Sequence, residues 1–168
     1  MSARRDLWPA VFGAAGNLGG VDLRAFLDDG LAIIVATADD QLHPEISRGW
    51  GPQLADDGES LELCVAAAPG SRTRVNLERG GVIAATFSVP TTYRTVQLKG
   101  PVVDVGEPTS AQVIRADEHL AAFVRQVAQV GVPPVAAGRM REPVLLAVRM
   151  SIAERYEQTP GPKAGLPL

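Results

Sequence analysis

The stretch LAIIVATADDQLHPEISRGWGPQLADDGESLELCVAA, residues 31–67, reads as three strands and two turns with no helix between them. Leu31 to Thr37 is an apolar run of strand length, and Ala38-Asp-Asp-Gln41 after it has turn chemistry. His43 to Trp50 is the returning strand, which Gly51-Pro52 is expected to end. Ala55-Asp-Asp-Gly58 is a second turn and Ser60 to Ala67 a third strand. Connections this short allow only antiparallel neighbours, because a parallel pair needs a crossover of about a dozen residues or more.

Outward from this meander, Val82 to Ser88 is a fourth strand, Arg94 to Val105 a long fifth and Val144 to Ile152 a sixth. Leu23, Phe26 and Leu27 stand at helical spacing within residues 21–29, and Gly30 follows where a C-cap glycine belongs. Ser71 to about Arg79 is a short helix closed by Gly80-Gly81. The one long helix runs from about Thr109 to Val130. Thr109 and Gln112 have the spacing of a capping box, and Val113, Ala116, Leu120, Phe123, Val124 and Val127 form its apolar stripe. Residues 131–141 are expected to be a proline-containing loop, and the tail 157–168 not to be regular structure. The predicted fold is mainly β: a six-stranded, Greek-key-like antiparallel barrel with flanking helices. It divides into an N-terminal segment at 1–20, the barrel domain at 21–156 and the Gly/Pro-rich tail.

Composition narrows the function. Sixteen Lys and Arg against nineteen Asp and Glu leave a net charge of −3, and aromatic residues are 5% of the chain. A general nucleic-acid binder would carry a basic face and stacking aromatics, so no nucleic-acid partner is expected. There is no apolar run of membrane-spanning length and no apolar core behind Arg4-Arg5, so the expectation is a cytoplasmic protein without a membrane partner. Cys64 is the single cysteine, which removes an intrachain disulfide and multi-cysteine zinc sites, and its strand setting reads as core. Gly13, Gly16 and Gly19 have the spacing of some dinucleotide-binding turns. Only Trp8 to Phe12 is available as the preceding strand, it contains a proline, and no βαβ alternation follows. A nicotinamide-nucleotide site is therefore the minor alternative.

The candidate site lies between Arg48 and Lys99. Ser71-Arg72-Thr73-Arg74 joins two hydroxyls and two guanidinium groups at a helix start, where free N–H groups and the planar Arg fork suit a phosphate dianion. On the fifth strand, alternation puts Thr95, Gln97 and Lys99 on one face and Arg94, Val96 and Leu98 on the other. Arg48 shares a face with Trp50 on the second strand, as the wall of a pocket for a flat ligand or as an exposed cation on an indole. No nucleophile elbow or triad pattern stands in the chain, and no metal site is expected.

Four segments together resemble the FMN-binding split β-barrel family that includes pyridoxamine 5′-phosphate oxidase. They are the strand ending at Thr37; Pro44-Glu-Ile-Ser-Arg-Gly-Trp50; Ser71-Arg-Thr-Arg-Val-Asn-Leu77 before Val82 to Phe87; and Tyr93-Arg-Thr-Val-Gln-Leu-Lys-Gly100. The resemblance implies a homodimer with FMN at the subunit interface. It places Ser71, Arg72 and Thr73 at the flavin phosphate, and Arg48, Arg94 and Thr95 along the cofactor; Arg74 at the helix start and Gln97 on the polar strand face join them as cofactor-binding candidates from the reading of the residues. The chain departs from the oxidase at its end, where Trp, Arg and His are replaced by a Gly/Pro-rich tail whose Lys163 could reach a neighbour's flavin or an acidic substrate. The implied activity is an FMN-dependent oxidoreductase acting on a small molecule, with NADH or NADPH as candidate donor. A flavin-binding module without turnover, and the same barrel carrying the deazaflavin F420 or haem, are the alternatives.

Overall fold

The computed structural model describes residues 22–168; the expectations for residues 1–20, including the Gly13, Gly16 and Gly19 turn, lie outside them. Seven strands are present in these residues: β1 (Ala32–Ala38), β2 (Pro44–Leu54), β3 (Ser60–Ala66), β4 (Val82–Ser88), β5 (Thr95–Gly106), β6 (Leu145–Ser151) and β7 (Glu154–Glu157). All pairings are antiparallel, in the order β4-β1-β2-β3-β6-β5, and a further β4–β5 pairing closes the ring. The first six strands are thus a closed barrel, and β4 returning beside β1 after the β1–β2–β3 meander is the Greek-key connection. The interior is filled by alternate residues of each strand, among them Ile33, Val35, Leu61, Leu63, Ile83, Phe87, Val96, Leu98, Val148 and Met150.

Four helices complete the described residues: α1 (Leu23–Leu27), α2 (Arg72–Glu78), α3 (Ser110–Ala128) and α4 (Pro134–Gly138). The α3 start is the expected capping box, with Thr109 and Gln112 exchanging side-chain and backbone hydrogen bonds. Its apolar face packs on the outer side of β2 and β3, where Ala116, Phe123 and Val127 meet Trp50, Cys64 and Ala66. Cys64 is a fully buried core thiol, and burial raises its pKa. The seven-residue helix α2 plugs one end of the barrel. Thr73, Asn76 and Leu77 point inward, and the Asn76 amide donates to Thr37 Oγ1 at 3.2 Å.

Four expectations are corrected. Strand β2 does not stop at Gly51-Pro52 but passes through them to Leu54, with a bulge between Trp50 and Gln53. The bulge absorbs the missing proline N–H, Gly51 takes a positive φ, and Arg115 Nε donates to its carbonyl at 2.9 Å. Gly30 does not cap α1, which ends on Asp28 in right-handed geometry. Gly30 is instead required by close approach: a Cβ there would lie 2.4 Å from the Ala122 carbonyl of α3. The loop at 131–141 contains the short helix α4, begun by Pro134 at a position where proline is favoured. The tail is also ordered by pairing. Beyond β7, Glu157 N donates to Leu166 O, Gly165 N to Glu157 O and Leu168 N to Arg155 O, so residues 166–168 lie back along β7.

Two predictions follow from this packing. The amides of Glu157, Gln158, Gly165 and Leu168 are expected to exchange with solvent deuterium far more slowly than an unstructured peptide; exchange at the peptide rate would remove the tail pairing. His119 of α3 is buried, edge-on to the Trp50 indole at 5.9 Å, with neither ring nitrogen bonded among the described residues. Burial lowers its pKa from 6.5 to about 4. As pH falls below 6.5 the unfolded chain takes up this proton before the folded one does. Stability present at pH 7 is therefore lost down to about pH 4, by about 3 kcal/mol in all. Urea midpoints at pH 7 and 4.5 should differ more for the native chain than for His119→Leu, and equal differences would contradict it.

Candidate functional site

The outer surface of the barrel is divided. α3 covers β2 and β3 around Trp50 and reaches Ala32 at the start of β1, but the rest of the outer side of β1, β4 and β5 has no helix over it among the described residues. Because Ile33, Val35, Ile83, Phe87, Val96 and Leu98 point into the core, their alternate neighbours share this outer face. Strand register arranges those neighbours in rows. Arg48 pairs with Ile34, Ile34 with Thr86, Thr86 with Gln97 and Gln97 with Tyr156, one row across five strands. The next row is Ile46, Ala36, Ala84, Lys99 and Glu154. On the other side Ala32, Ser88 and Thr95 align. The face is shallow, because Ala36 and Ala84 hold facing positions of β1 and β4, and it is polar at its centre.

The polar groups are mutually ordered. Gln97 Nε2 donates to Thr86 Oγ1 at 2.8 Å, Ser88 and Thr95 hydroxyls meet at 2.8 Å, and Thr95 is 8% exposed. The Gln97 side-chain carbonyl remains available. Lys99 places its ammonium 4.6 Å from the centre of the Tyr156 ring, and the Tyr156 hydroxyl donates to Glu154. Arg48, half-buried on β2 just beyond the edge of α3, has no ion-pair partner among the described residues.

The nine predicted residues do not all converge. Arg48, Thr95 and Gln97 share the open face. Ser71 accepts from Arg74 N at 3.2 Å as the α2 cap, and Thr73 is buried against the barrel end. Arg74 turns away from both, its guanidinium held by Glu78 at 2.8 Å and Glu107 at 3.1 Å. Arg72 instead lines an open cleft of about 430 Å³ between α2 and the β1–β2 hairpin. Ser47 Oγ donates to Ala66 O, which fixes the exit of β3 toward this helix start beside β2. Arg94 precedes β5 and lies over the Phe26 ring at 5.5 Å, at the opposite end of the face. Lys163 is exposed in the turn of the tail, beyond β7. Sequence reasoning missed Thr86, Ser88 and Tyr156, which only the register brings beside Gln97. It also missed Arg79, although Arg72, Val75, Asn76 and Arg79 have the i, i+3, i+4, i+7 spacing of one helix side.

No family model matches the chain, and no curated protein sequence matches it. Solved structures are similar to it at low identity. HupZ of Group A Streptococcus is 18% identical, covering 84% of this chain and 95% of its own, with a TM-score of 0.49. A protein described as an F420 reductase is 19% identical over 76% of this chain and 91% of its own, with a TM-score of 0.49. A pyridoxamine 5′-phosphate oxidase-related, FMN-binding protein of Nostoc punctiforme is 12% identical over 80% and 77%, with a TM-score of 0.42.

Because both partners of Arg74 are largely exposed, Arg74→Ala should leave the urea midpoint of unfolding nearly unchanged. A large drop in that midpoint would mean that the Glu78–Arg74–Glu107 contact holds α2 on the barrel.

Proposed function

We propose that the chain is an FMN-dependent oxidoreductase acting on a small molecule, with the flavin lying on the open face of β1, β4 and β5. The observation that carries this reading is the row Arg48, Ile34, Thr86, Gln97 and Tyr156, with alanines in the row beside it. A planar heteroaromatic ring needs a flat platform and amide or hydroxyl groups along its polar edge. Ala36 and Ala84 offer the first; Gln97, Thr86, Ser88 and Thr95 offer the second. The phosphate needs cations not already neutralised, and Arg48 and Arg72 are such groups. The residues present therefore fit FMN, with the guanidinium groups gripping its phosphate and Gln97 and Thr95 orienting its ring.

When bound, FMN supplies hydride transfer, and the protein's contribution is position, electrostatics and exclusion of water. Gln97 is held by Thr86, so its carbonyl presents one orientation. Lys99, kept on the Tyr156 ring rather than on a carboxylate, adds a positive charge at the margin of the face. Ile46 is 69% exposed, Val82 47% and Ile34 37% on the same side, apolar area that a second copy of the chain would cover. The homodimer and the flavin are thus one proposal: the second copy closes what a single face leaves open.

Purified protein should show the two flavin bands in the near-ultraviolet and blue, and release FMN by mass. A single band between them would indicate the deazaflavin, and a Soret band haem. Anaerobic NADH or NADPH should bleach the flavin bands; a stable yellow protein that no donor bleaches would support a binding module instead. Arg48→Ala should weaken FMN binding by about 1.5–3 kcal/mol, as expected for a lost charged contact. Unchanged affinity would remove Arg48 from the site.

A further inference from the structure

The C-terminal turn is fastened to the open face at one residue, Thr95. Both backbone groups of Thr95 meet the tail: its N–H donates to Thr159 Oγ1 at 3.0 Å, and Gln158 N donates to its carbonyl at 2.8 Å. Strand pairing along this edge of β5 stops one residue later in the chain, where Val96 faces Glu157. A side-chain hydroxyl thus takes the place of a ladder carbonyl. Thr95 is buried, so its N–H needs a partner from the protein.

Thr159 is itself held in place. Its N–H donates to Glu157 Oε1 at 2.8 Å, and the turn beyond it is closed by Gly165 N on Glu157 O at 2.7 Å. Leu168 packs on the barrel core, and Pro160 and Pro162 restrict the backbone between. What Thr159 fixes in turn is a chain of hydroxyls. Thr95 Oγ1 donates to Tyr93 O at 2.8 Å, which holds Tyr93 in its costly positive φ of 59°. That bond spends the only proton of the Thr95 hydroxyl. In the 2.8 Å contact between Thr95 and Ser88, Ser88 is therefore the donor. Ser88 Oγ then offers only lone pairs to a ligand on the face, as Gln97 does with its free carbonyl.

We propose that Thr159 is a positioning residue of the open face. It acts through Thr95 to fix the direction of the Ser88–Thr95–Tyr93 hydroxyl chain, so that Ser88 accepts from an N–H on the edge of the bound ring. This role rests on the flavin reading above. Thr159 orders the acceptor without touching the ligand, and the tail is thereby part of the site rather than an appendage to it.

The test is fluorescence titration of the full chain with FMN, together with amide hydrogen exchange, for wild type, Thr159→Val and Thr159→Ser. Thr159→Val keeps the shape and loses the acceptor. It should weaken FMN binding about tenfold and shift the visible bands of the bound flavin, whereas Thr159→Ser, which keeps the hydroxyl, should bind within about twofold of wild type. The Thr95 amide should exchange faster in Thr159→Val alone, with Gly165 and Leu168 still slow. Faster exchange at Gly165 and Leu168 as well would make Thr159 an anchor of the tail and overturn the proposal. So would Thr159→Val binding FMN with the affinity and bands of wild type, or Thr159→Ser binding as weakly as Thr159→Val. If wild type binds no FMN, the flavin reading falls and this role with it; if wild type binds FMN and Thr159→Val is silent, this role alone falls.

Discussion

Strand β5 serves two partners along one edge, and Gly100 makes this possible. Residues 102–106 pair with β6 and residues 96–99 with β7, so the chain from β6 to β7 runs past β5 and bends at Gly100. A Cβ on Gly100 would lie 1.8 Å from the Ser151 carbonyl, a distance no side chain can occupy. The close approach lets Ala153 N donate to Lys99 O at 2.9 Å and redirects the chain into β7. The other edge of β5 meanwhile pairs with β4 and closes the barrel. Closure and the extra strand thus depend on one backbone contact.

That contact also decides what the surface offers. With β7 added beside β5, the rows that begin at Arg48 and Ile46 extend to Tyr156 and Glu154. The chain places its long helix on the other side, where Phe123 and His119 pack edge-on to Trp50 and Gly30 admits the α3 backbone. One half of the outer surface is consumed by packing. The other is left shallow, polar at its centre and apolar at its rim. The basic cleft beside α2 lies at the hairpin end, where Ser47 ties β2 to the exit of β3.

Much of the barrel was legible because its strands carry period-two or continuous apolar patterns between strong turn residues. The fourth strand has the expected bounds, and Thr109 with Gln112 marks the start of the long helix. Strand β7 was not legible: Glu-Arg-Tyr-Glu has no apolar alternation and becomes a strand only because β5 offers it an open edge. Gly51-Pro52 has the chemistry of a strand end, and a bulge supported by Arg115, far along the chain, overrides it. Within the site, alternation alone put Thr95 and Gln97 on one face. The alignment of Arg48 with Thr86 and Gln97 depends on register across four strands, which no local pattern reports. Arg74 resembled a phosphate ligand because its counter-charge at Glu107 comes from 33 residues away.

The central claim is that the uncovered face of β1, β4 and β5 is where a flavin lies. Backbone amide chemical shifts, recorded as FMN is added to isotope-labelled protein, test it residue by residue. The account predicts the largest changes at Ile34, Arg48, Thr86, Thr95 and Gln97, with little change along α3. Shifts confined to α3 and α4, or none at saturating FMN, would contradict it.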